Sequence, residues 1–554
     1  MKPRALLLAA FAAAFSATLA PAIAAPKFAL PQAAGPRVAD AALRDLPSVL
    51  GITPDFSNPV DVGPKVKLPN TTSCTVTLLA NQPFNNFTPA TGAYAPPSGC
   101  PGPWAKVVLD WNVSVSGRQY DRLGAVWLGG TEIFHFTTSE PPGPSITWDL
   151  KKDVTEYANT LATATDFTVS LGNVVNNTYT GVYVVNATLT FYEPGKGWPA
   201  KAVPDVVEPI SQYPAQSPPW FTLNTPSNTA SATLSLPTNI KSAALEVYTT
   251  GHGCDEFWYA QESTAYEESI GQTCGGTAYR EIDVWLDGQP VGLIAAFPYL
   301  YTGAIDPIAW LPITGHDALN IPPYKVDLSP WVGILTNGQP HTVAVSVYNN
   351  FGYWVADADL LLTLDRGASA TTGALTRFET GPKTIERVDE SHLTAAGGKA
   401  SYTAHHFLTA EGYVDTSKGR IRSKVSETLN FANRQNFSNS TGNFVVTSNG
   451  AQTTFASSGK SSTTTANTYP LHLNLTTNLA IDQAFYETIN ALDGRNPSST
   501  YEQDVISAGH VTGKPELTTE HYILQKSDGY CFDQSLSASV GTLKTNSKSP
   551  NCNK

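Results

Sequence analysis

The chain has 554 residues, of which 41% are hydrophobic and 14% are charged, a composition that excludes an intrinsically disordered protein. The formal net charge is −12, and there is no basic run that would track a phosphate backbone, which argues against nucleic acid or an anionic membrane surface as a partner. At about 150 residues per domain, the length allows about three or four domains, each with its own hydrophobic core.

The N-terminal residues 1–24 have the pattern of a secretory signal peptide. Lys2 and Arg4 precede an apolar stretch over residues 5–20, and a small-residue cleavage site follows at 22–24. No other apolar run is long enough to span a bilayer. We therefore predict a secreted or periplasmic protein, with a leader or linker rich in Pro and Ala over residues 25–65.

Most of the remaining chain alternates apolar and polar residues with a period of two, which indicates half-buried antiparallel strands. The clearest segments are 104–114, 165–171, 183–192, 243–249, 280–286 and 342–348. Turn dipeptides such as Gly129-Gly130 and Asp287-Gly288 lie between strands, and 42 Gly and 41 Pro favour sandwiches over barrels. The prediction is an all-β protein with β-sandwiches at 66–195 and 220–368 and a β-rich C-terminal domain at 369–554.

The six cysteines form three couples that are close in sequence: Cys74 with Cys100, Cys254 with Cys274, and Cys531 with Cys552. Export to an oxidising compartment favours pairing within each couple, and each short loop closed this way stabilises the fold by about 3 kcal/mol. The spacing contains no CxxC or His-rich pattern, so we predict no metal site.

The first concentrated signal is GRQYDRLGAVWLGGTEIF at residues 117–134, where Asp121 and Arg122 follow Tyr120. Consecutive residues of a regular strand face opposite ways, so a shared site needs a bend or bulge at this point. The alternative is a surface ion pair worth about 0 to 1 kcal/mol.

The second signal is GHGCDEFWY at residues 251–259. Glycine lets the backbone approach a ligand, Cys254 can pin the loop, and Asp255 and Glu256 offer an acid or a base. Because His252 lacks partners at metal spacing, we interpret it as a structural histidine outside the catalytic set. Three aromatic residues offer flat faces to a sugar ring: Phe257, Trp258 and Tyr259.

A third segment, residues 297–331, is rich in aromatic residues and Pro and has no strand period. It is typical of an ordered loop at the end of a sandwich, where binding residues are often found. Four residues are candidates for lining a carbohydrate cleft, with packing as the alternative for each: Tyr299, Tyr301, Asp306 and Trp310. Arg280, at the start of the expected strand 280–286, is a further candidate for substrate binding.

These segments resemble the secreted peptide:N-glycosidase A family. The resemblance extends from about residue 119 to 359 and includes GRQYDR, VWLGGTEI, NVVNNTYTGVY, GHGCDEFW, LYTGAIDPIAWLP and NGQPHTVAVSV. A more distant likeness is to peptide:N-glycosidase F, and it implies two adjacent jelly-roll sandwiches with the active site between them. The sequence has no HExxH, P-loop or dinucleotide fingerprint, so we expect neither a cofactor nor a metal. The expected partner is an N-glycopeptide or glycoprotein bound by a monomer.

The distant likeness assigns roles to particular residues of this sequence. It implies Asp121 as the primary catalytic carboxylate and Glu256 as its assistant. Because amide hydrolysis needs stabilisation of the oxyanion, our hypothesis gives Arg122 charge stabilisation or sugar anchoring. A further acid of that relative falls near residues 172–174, where Asn173 would substitute as a hydrogen-bond partner. The candidates for substrate binding are Tyr120, Asp255, Trp258, Tyr259, Arg280, Asn173, Tyr301 and Trp310.

The reaction implied is hydrolysis of the amide between the innermost N-acetylglucosamine and asparagine. The family resemblance also implies work at acidic pH, and a carboxylate beside an arginine can stay ionised below its reference pKa of about 3.9. Two alternatives stay open from the residues alone: a glycoside hydrolase with two carboxylates, and a carbohydrate-binding sandwich without catalysis.

Overall fold

The computed structural model describes residues 56–302, 310–381, 385–438, 443–475, 479–491, 498–507, 518–525, 530–539 and 541–549. Within these ranges the strands form five sheets in which neighbouring strands are antiparallel, so the all-β prediction is confirmed. The expected signal peptide, Asp306 and Cys552 lie outside the described residues.

The first sandwich is built from the strands between residues 73 and 192. One sheet contains, in spatial order, β1 (Ser73–Phe84), β8 (Val182–Tyr192), β3 (Lys106–Arg118) and β6 (Pro142–Asp153). The second sheet contains β2 (Ala90–Tyr94), β7 (Thr165–Leu171), β4 (Leu123–Leu128) and β5 (Thr131–Thr137). A 3-10 helix (Thr155–Tyr157) and α1 (Ala158–Leu161) connect β6 with β7. The strands expected from the sequence in this region are all present.

The core of this sandwich follows from the alternation along β3. Trp111, Val113 and Val115 face inward and are buried, whereas Asn112 and Ser116 face solvent. The indole of Trp111 packs on aromatic rings of β5 from the opposite sheet, with ring centroids 5.5 Å from Phe134 and 4.8 Å from Phe136. Burial of a large aromatic residue between the two sheets is what holds such sandwiches together.

The second sandwich begins after residue 205. One sheet contains β10 (Phe221–Leu223), β17 (Tyr353–Leu364), β12 (Ile240–His252) and β15 (Tyr324–Asp327), and β9 (Val206–Pro209) also pairs with β17. The other sheet contains β11 (Ala230–Leu234), β16 (His341–Tyr348), β13 (Glu281–Leu286) and β14 (Gln289–Ala295). Four short helical segments connect the strands: the 3-10 helices Gly253–Ala260 and Ser329–Trp331, and the α-helices α2 (Thr264–Ser269) and α3 (Val332–Leu335).

The C-terminal region forms one long antiparallel sheet. Its strands are, in order, β18 (Thr372–Thr380), β20 (Gly397–Thr416), β21 (Gly419–Ser438), β22 (Asn443–Ser458), β23 (Ser461–Leu475), β24 (Leu479–Ala491), β25 (Ser498–Ser507), β26 (Thr518–Gln525), β27 (Cys531–Ser539) and β28 (Thr542–Ser549), with β19 (Ile385–Thr394) also paired to β20. Buried residues of this sheet, such as Tyr402, Leu408 and Val446, belong to the hydrophobic core of the second sandwich. The C-terminal sheet is therefore packed on that sandwich. The expected domain bounds and the jelly-roll connectivity stay predictions.

Local turn chemistry and disulfides agree with the sequence. Gly129 and Gly130 have φ of 56° and 88° and form the two-residue hairpin between β4 and β5, a turn that requires positive φ at both positions. Disulfides join Cys74 to Cys100 and Cys254 to Cys274, so two of the three expected pairings are confirmed. The third stays a prediction because Cys552 lies outside the described residues. Among the described helices, none is long and apolar enough to cross a membrane.

Buried polar contacts join the two sandwiches. The indole Nε1 of Trp127 on β4 donates to Oδ2 of Asp357 on β17 at 2.8 Å, and the Glu132 backbone N–H on β5 donates to Oδ2 of Asp359 at 3.2 Å. The Tyr157 hydroxyl donates to Glu246 on β12 at 2.7 Å. These bonds fix the position of β5 against β12 and β17, next to the candidate site described below.

A buried carboxyl group at the junction of the second sandwich and the C-terminal sheet makes a pH-dependent contribution to stability. Glu427 on β21 is 2% exposed and accepts a hydrogen bond of 2.8 Å from the Leu293 backbone N–H on β14. Burial raises the pKa of Glu427 from 4.5 to about 8. The unfolded chain therefore releases this proton at lower pH than the folded chain, and stability falls as pH rises between these values.

We expect Glu427→Gln, which keeps the hydrogen-bond acceptor, to match the wild type at acidic pH and to exceed its stability at higher pH. The difference should grow by up to about 1.4 kcal/mol per pH unit between the unfolded and folded pKa values. Urea unfolding across a pH series measures it, with the exposed Glu379→Gln as control. Parallel pH curves for wild type and Glu427→Gln would contradict the assignment.

Candidate active site

Asp121 and Arg122 lie in the connection between β3 and β4, where the chain leaves regular strand geometry. The register of β3 shifts between Val115 and Gly117, and Gly117 has a φ of 103°, a conformation that favours glycine. A Cβ at Gly117 would also lie only 2.6 Å from the Thr180 hydroxyl oxygen. The bend that a shared Asp-Arg site requires is therefore present.

The bend is held in place by hydrogen bonds. The Arg122 backbone N–H donates to the Thr138 hydroxyl at 2.8 Å, and the Thr138 N–H donates to the Arg122 carbonyl at 2.9 Å. The buried hydroxyl of Tyr183 lies 2.7 Å from the carbonyl oxygen of Tyr120 and accepts from the Thr138 hydroxyl at 3.0 Å. These contacts bring residues 119–122 next to residues 138–141, the segment that follows β5.

The adjoining segment contributes a carboxyl group that the sequence analysis missed. Glu140 is 4% exposed and follows β5 directly. The sequence does offer one indication of Glu140: an acidic residue follows shortly after the strongly apolar strand 131–137. A carboxyl group next to such a strand is rarely buried unless it has a partner or a function. The distant likeness instead places a third acid near residues 172–174, where this sequence has Asn173.

Glu256 reaches the site from the second sandwich. It lies in the 3-10 helix Gly253–Ala260, which starts as soon as β12 ends, and the disulfide between Cys254 and Cys274 ties this helix to the following loop. Hydrogen bonds from the C-terminal sheet hold the C-terminal end of this helix in place. Nδ2 of Asn433 donates to the Tyr259 carbonyl at 2.7 Å, and Nε2 of Gln435 donates to the Gln261 carbonyl at 3.1 Å.

The electrostatics show that the three carboxyl groups converge. The pKa of Glu256 is raised well above its ordinary value, first by burial and then by the negative charges of Asp121 and Glu140. Although part of the Glu256 surface is exposed, the surrounding protein removes most of its hydration. Asp121 and Glu140 also both interact with the guanidinium of Arg122, whose pKa is lowered by burial. One site thus contains two acids from the first sandwich, one from the second, and an arginine.

Arg122 keeps one buried donor without a partner among the described residues. Its Nη2 donates to Oε1 of Gln119 at 2.5 Å, and its guanidinium carbon lies 5.6 Å from the ring centroid of Tyr120. Its Nε is buried and has no hydrogen-bond partner among the described residues. The ring of Tyr120 packs on Tyr179 with centroids 4.3 Å apart, so two aromatic rings form one wall beside the acids.

Tyr301 and His252 form a second aromatic wall. The ring of His252 is stacked between Tyr301 and Tyr353, with centroid distances of 5.8 and 5.3 Å. Burial lowers the pKa of His252 to about 3, so its imidazole is neutral above that pH. Its Nε2 lies 2.8 Å from the Thr250 hydroxyl oxygen. The pKa of Tyr301 is raised by burial first and then by the negative charge of Glu256, so these two side chains interact electrostatically.

Asp255 and Arg280 form a closed ion pair. Asp255 is completely buried and accepts two bonds from the Arg280 guanidinium, at 2.7 and 3.0 Å, together with bonds from Trp354 and the Phe351 backbone. The remaining Arg280 donors bond to Gln261 and to backbone carbonyls. The pair therefore fixes the loop around Glu256, and its expected contact with substrate stays a prediction.

The other expected substrate-binding residues also lie inside the protein. Trp258, Tyr259 and Trp310 are at most 4% exposed and belong to the hydrophobic core of the second sandwich. Asn173 is 1% exposed, and its Nδ2 donates to the carbonyls of Phe84 and Gly181 at 2.9 and 3.1 Å. Their roles in binding likewise stay predictions, whereas Tyr120 and Tyr301 lie beside the acids.

A separate group of potential metal ligands occurs at the junction with the C-terminal sheet. Ligand atoms of Glu281, Asp283 and His406 lie within 4.8 Å of one another. His406 Nδ1 is 2.6 Å from Oε1 of Glu281, and the Tyr279 hydroxyl donates to the same carboxylate. This geometry is that of a buried hydrogen-bonded pair between two sheets.

Comparison with known proteins places the chain in a family. The family model for peptide N-acetyl-β-D-glucosaminyl asparaginase amidase A matches residues 59–381. The peptide-N4-(N-acetyl-β-glucosaminyl)asparagine amidase A of Prunus dulcis is 29% identical over 540 residues, covering 89% of this chain and 93% of that protein.

Two solved structures are more distant. PNGase F, a glycosylasparaginase from Flavobacterium meningosepticum, is 14% identical with a TM-score of 0.35, over 53% of this chain and 96% of that one. A peptide-N(4)-(N-acetyl-β-D-glucosaminyl)asparagine amidase solved at 2.2 Å gives 14% identity and a TM-score of 0.36 over the same shares of the two chains. On the family match, the chain belongs to the peptide N-acetyl-β-D-glucosaminyl asparaginase amidase A family.

Proposed function

We propose that this protein hydrolyses the amide bond between the innermost N-acetylglucosamine and asparagine of N-glycopeptides and glycoproteins. The observation that carries the proposal is the convergence of Asp121 and Glu140 with Glu256 across the boundary between two sandwiches. The almond relative, which matches most of this chain, bears the name of that activity.

The chemistry follows from what amide hydrolysis requires: a base for water, stabilisation of the oxyanion and a proton for the leaving nitrogen. Asp121 takes a proton from water, which attacks the side-chain carbonyl carbon of asparagine. The Arg122 guanidinium stabilises the negative oxygen. As the carbon–nitrogen bond breaks, the nitrogen takes a proton from Glu256, leaving aspartate in the peptide and a glycosylamine that decays to free sugar and ammonia.

The raised pKa of Glu256 supports its role as the proton donor. A carboxylic acid that is buried and faces two further carboxyl groups stays protonated above its ordinary pKa. Two acids from different environments can thus divide the roles of base and acid. The same arrangement favours acidic pH, because the donor is lost when pH rises through its pKa.

Export also belongs to this proposal. The signal-peptide pattern of residues 1–24 and the disulfides at Cys74 and Cys254 fit an oxidising compartment outside the cytoplasm. Glycoproteins are found there, so substrate and enzyme would share the compartment.

The reaction is tested by incubating the protein with a defined glycopeptide and analysing the peptide by mass spectrometry. We expect aspartate at the former glycosylation site. Asp121→Asn should lower kcat by about 100-fold or more because water loses its base, while the exposed Asp166→Asn should not. A peptide that retains a sugar on asparagine would indicate a glycoside hydrolase, and binding without turnover would indicate a carbohydrate-binding protein.

The pH profile tests the role of Glu256. In the wild type, activity should fall as pH rises through the raised pKa of Glu256, since the proton donor is then ionised. Glu256→Gln cannot supply a proton, so kcat should drop by about 100-fold or more and this alkaline limb should disappear. Full activity with an unchanged limb would exclude Glu256 as the donor.

We expect Glu140 to influence catalysis by raising the pKa of Glu256. The negative charge of Glu140 raises the pKa of Glu256, so Glu140→Gln should lower that pKa and move the alkaline limb to lower pH. We expect this shift together with a smaller loss of kcat than in Glu256→Gln. A loss of activity without any shift of the limb would mean that Glu140 is only structural.

A further inference from the structure

A large groove lies where the two sandwiches, residues 58–66 and the C-terminal sheet meet. Its volume is about 1340 Å³, larger than the roughly 300–1,000 Å³ typical of small-molecule sites. Among the described residues that line it, none is Asp121, Glu140 or Glu256. The groove therefore suits an extended ligand and is distinct from the carboxyl cluster.

One wall is the outer face of a sheet of the first sandwich. Asn112 on β3 lies directly opposite Asn186 on β8 and opposite Asp149 on β6. Paired residues of antiparallel strands project to the same face about 5 Å apart, so these three side chains form a polar row across the sheet. Asn112 and Asp149 are exposed.

The facing wall is formed by the C-terminal sheet. Thr454 on β22 is paired with Thr465 on β23, and Asn467 follows two residues later on the same face. The Oδ1 atom of Asn467 is buried and has no hydrogen-bond partner among the described residues. Nε2 of Gln534 donates to Oδ1 of Asn546 at 3.0 Å, so amide groups continue along this wall.

Aromatic rings cross the groove between these walls. Phe297 packs on Tyr299 and Tyr469 with ring centroids 4.6 and 5.2 Å apart, and His316 continues the row to Tyr522 at 6.5 Å. Amide and hydroxyl groups that both donate and accept, next to flat rings, match the hydroxyl groups and apolar faces of sugars.

The charges in the groove are largely compensated. Lys151 is paired with Asp110, and Lys325 with Glu156 at 2.5 Å. Burial, together with the neighbouring Asp317, raises the pKa of Asp61 to about 7, so this acid is neutral at acidic pH. An extended peptide would bind along a sheet edge, whereas these walls are sheet faces. Nucleic acid would require an excess of positive charge.

We propose that this groove binds a neutral oligosaccharide of several sugar units, independently of the hydrolytic site. The groove adjoins the carboxyl cluster through two rings: Tyr299 of the groove stacks on Tyr301 at a centroid distance of 6.0 Å, and Tyr301 interacts electrostatically with Glu256. The groove would hold the outer part of a glycan or a second glycan chain, and it gives the C-terminal sheet a part in binding.

The probe is a free neutral high-mannose oligosaccharide without asparagine, titrated into the full-length protein by calorimetry. We expect saturable binding, weakened about tenfold by either Asn112→Ala or Asn467→Ala, since each removes hydrogen bonds from opposite walls. Asn436→Ala, an exposed amide on β21 outside the groove, is the matched control. No binding by the wild type, or binding by both groove variants as strong as that of the wild type, would overturn the proposal.

Kinetics separate this proposal from the amidase assignment. With a glycopeptide that carries the whole oligosaccharide, the two groove variants should raise KM about tenfold at unchanged kcat. With a peptide that carries a single N-acetylglucosamine, they should match the wild type. Equal effects on both substrates would overturn the groove as a glycan site. If the protein proves not to be an amidase, the calorimetric result still decides whether the groove binds sugar.

Discussion

The contact between the two sandwiches is the constraint on which the site depends. The bonds from Trp127 to Asp357 and from Glu132 to Asp359 hold strands β4 and β5 against β17. Glu140 follows β5, and the bend at Asp121 is hydrogen-bonded to the same segment. Glu256 follows β12, which pairs with β17 along its whole length. A shift at the seam would therefore change the distance between the acids from opposite sandwiches.

Besides aromatic contacts such as that of Trp127 with Trp220, this seam contains several buried acids. Burial raises the pKa of Glu132, Asp357 and Asp359. The charge of Glu132 adds to the shift of both aspartates, whereas Lys152 lowers the pKa of Glu132. Protonated carboxyl groups bury at lower free-energy cost than ionised ones. With raised folded pKa values, they stabilise the seam at acidic pH and destabilise it as pH rises through those values. The seam and the proposed role of Glu256 as proton donor thus favour the same pH range.

Two buried histidines have the opposite effect on the pH dependence of stability. Burial lowers the pKa of His135 and His252 to about 3, so each imidazole stays neutral in the fold while the unfolded chain takes up a proton near pH 6.5. Their contribution to stability is complete above the unfolded pKa and is lost as pH falls to about 3. The pH range in which the fold is stable is therefore limited at low pH by these two histidines and at high pH by the buried acids.

Sequence reasoning found the strands more readily than the partners of the acids. Strand β7 has the bounds that its alternation indicated, because local periodicity reports which face is buried. Asp121 and Glu256 were named from motifs and family resemblance. Glu140 was missed because its proximity to Glu256 depends on how two sandwiches pack, which no local pattern encodes. The ion pair of Asp255 with Arg280 was not predicted either, for the same reason.

The C-terminal sheet contains no recognisable functional motif, yet it helps to position the candidate site. Asn433 and Gln435 lie two residues apart on β21 and so face the same way, toward the helix that carries Glu256. They are buried and bond to backbone carbonyls at the end of that helix, so they fix its position without touching the acids. From its sequence alone, an alternating strand with amides at these two positions cannot be distinguished from any other strand of a sheet. Its role follows only from the surface on which it is packed.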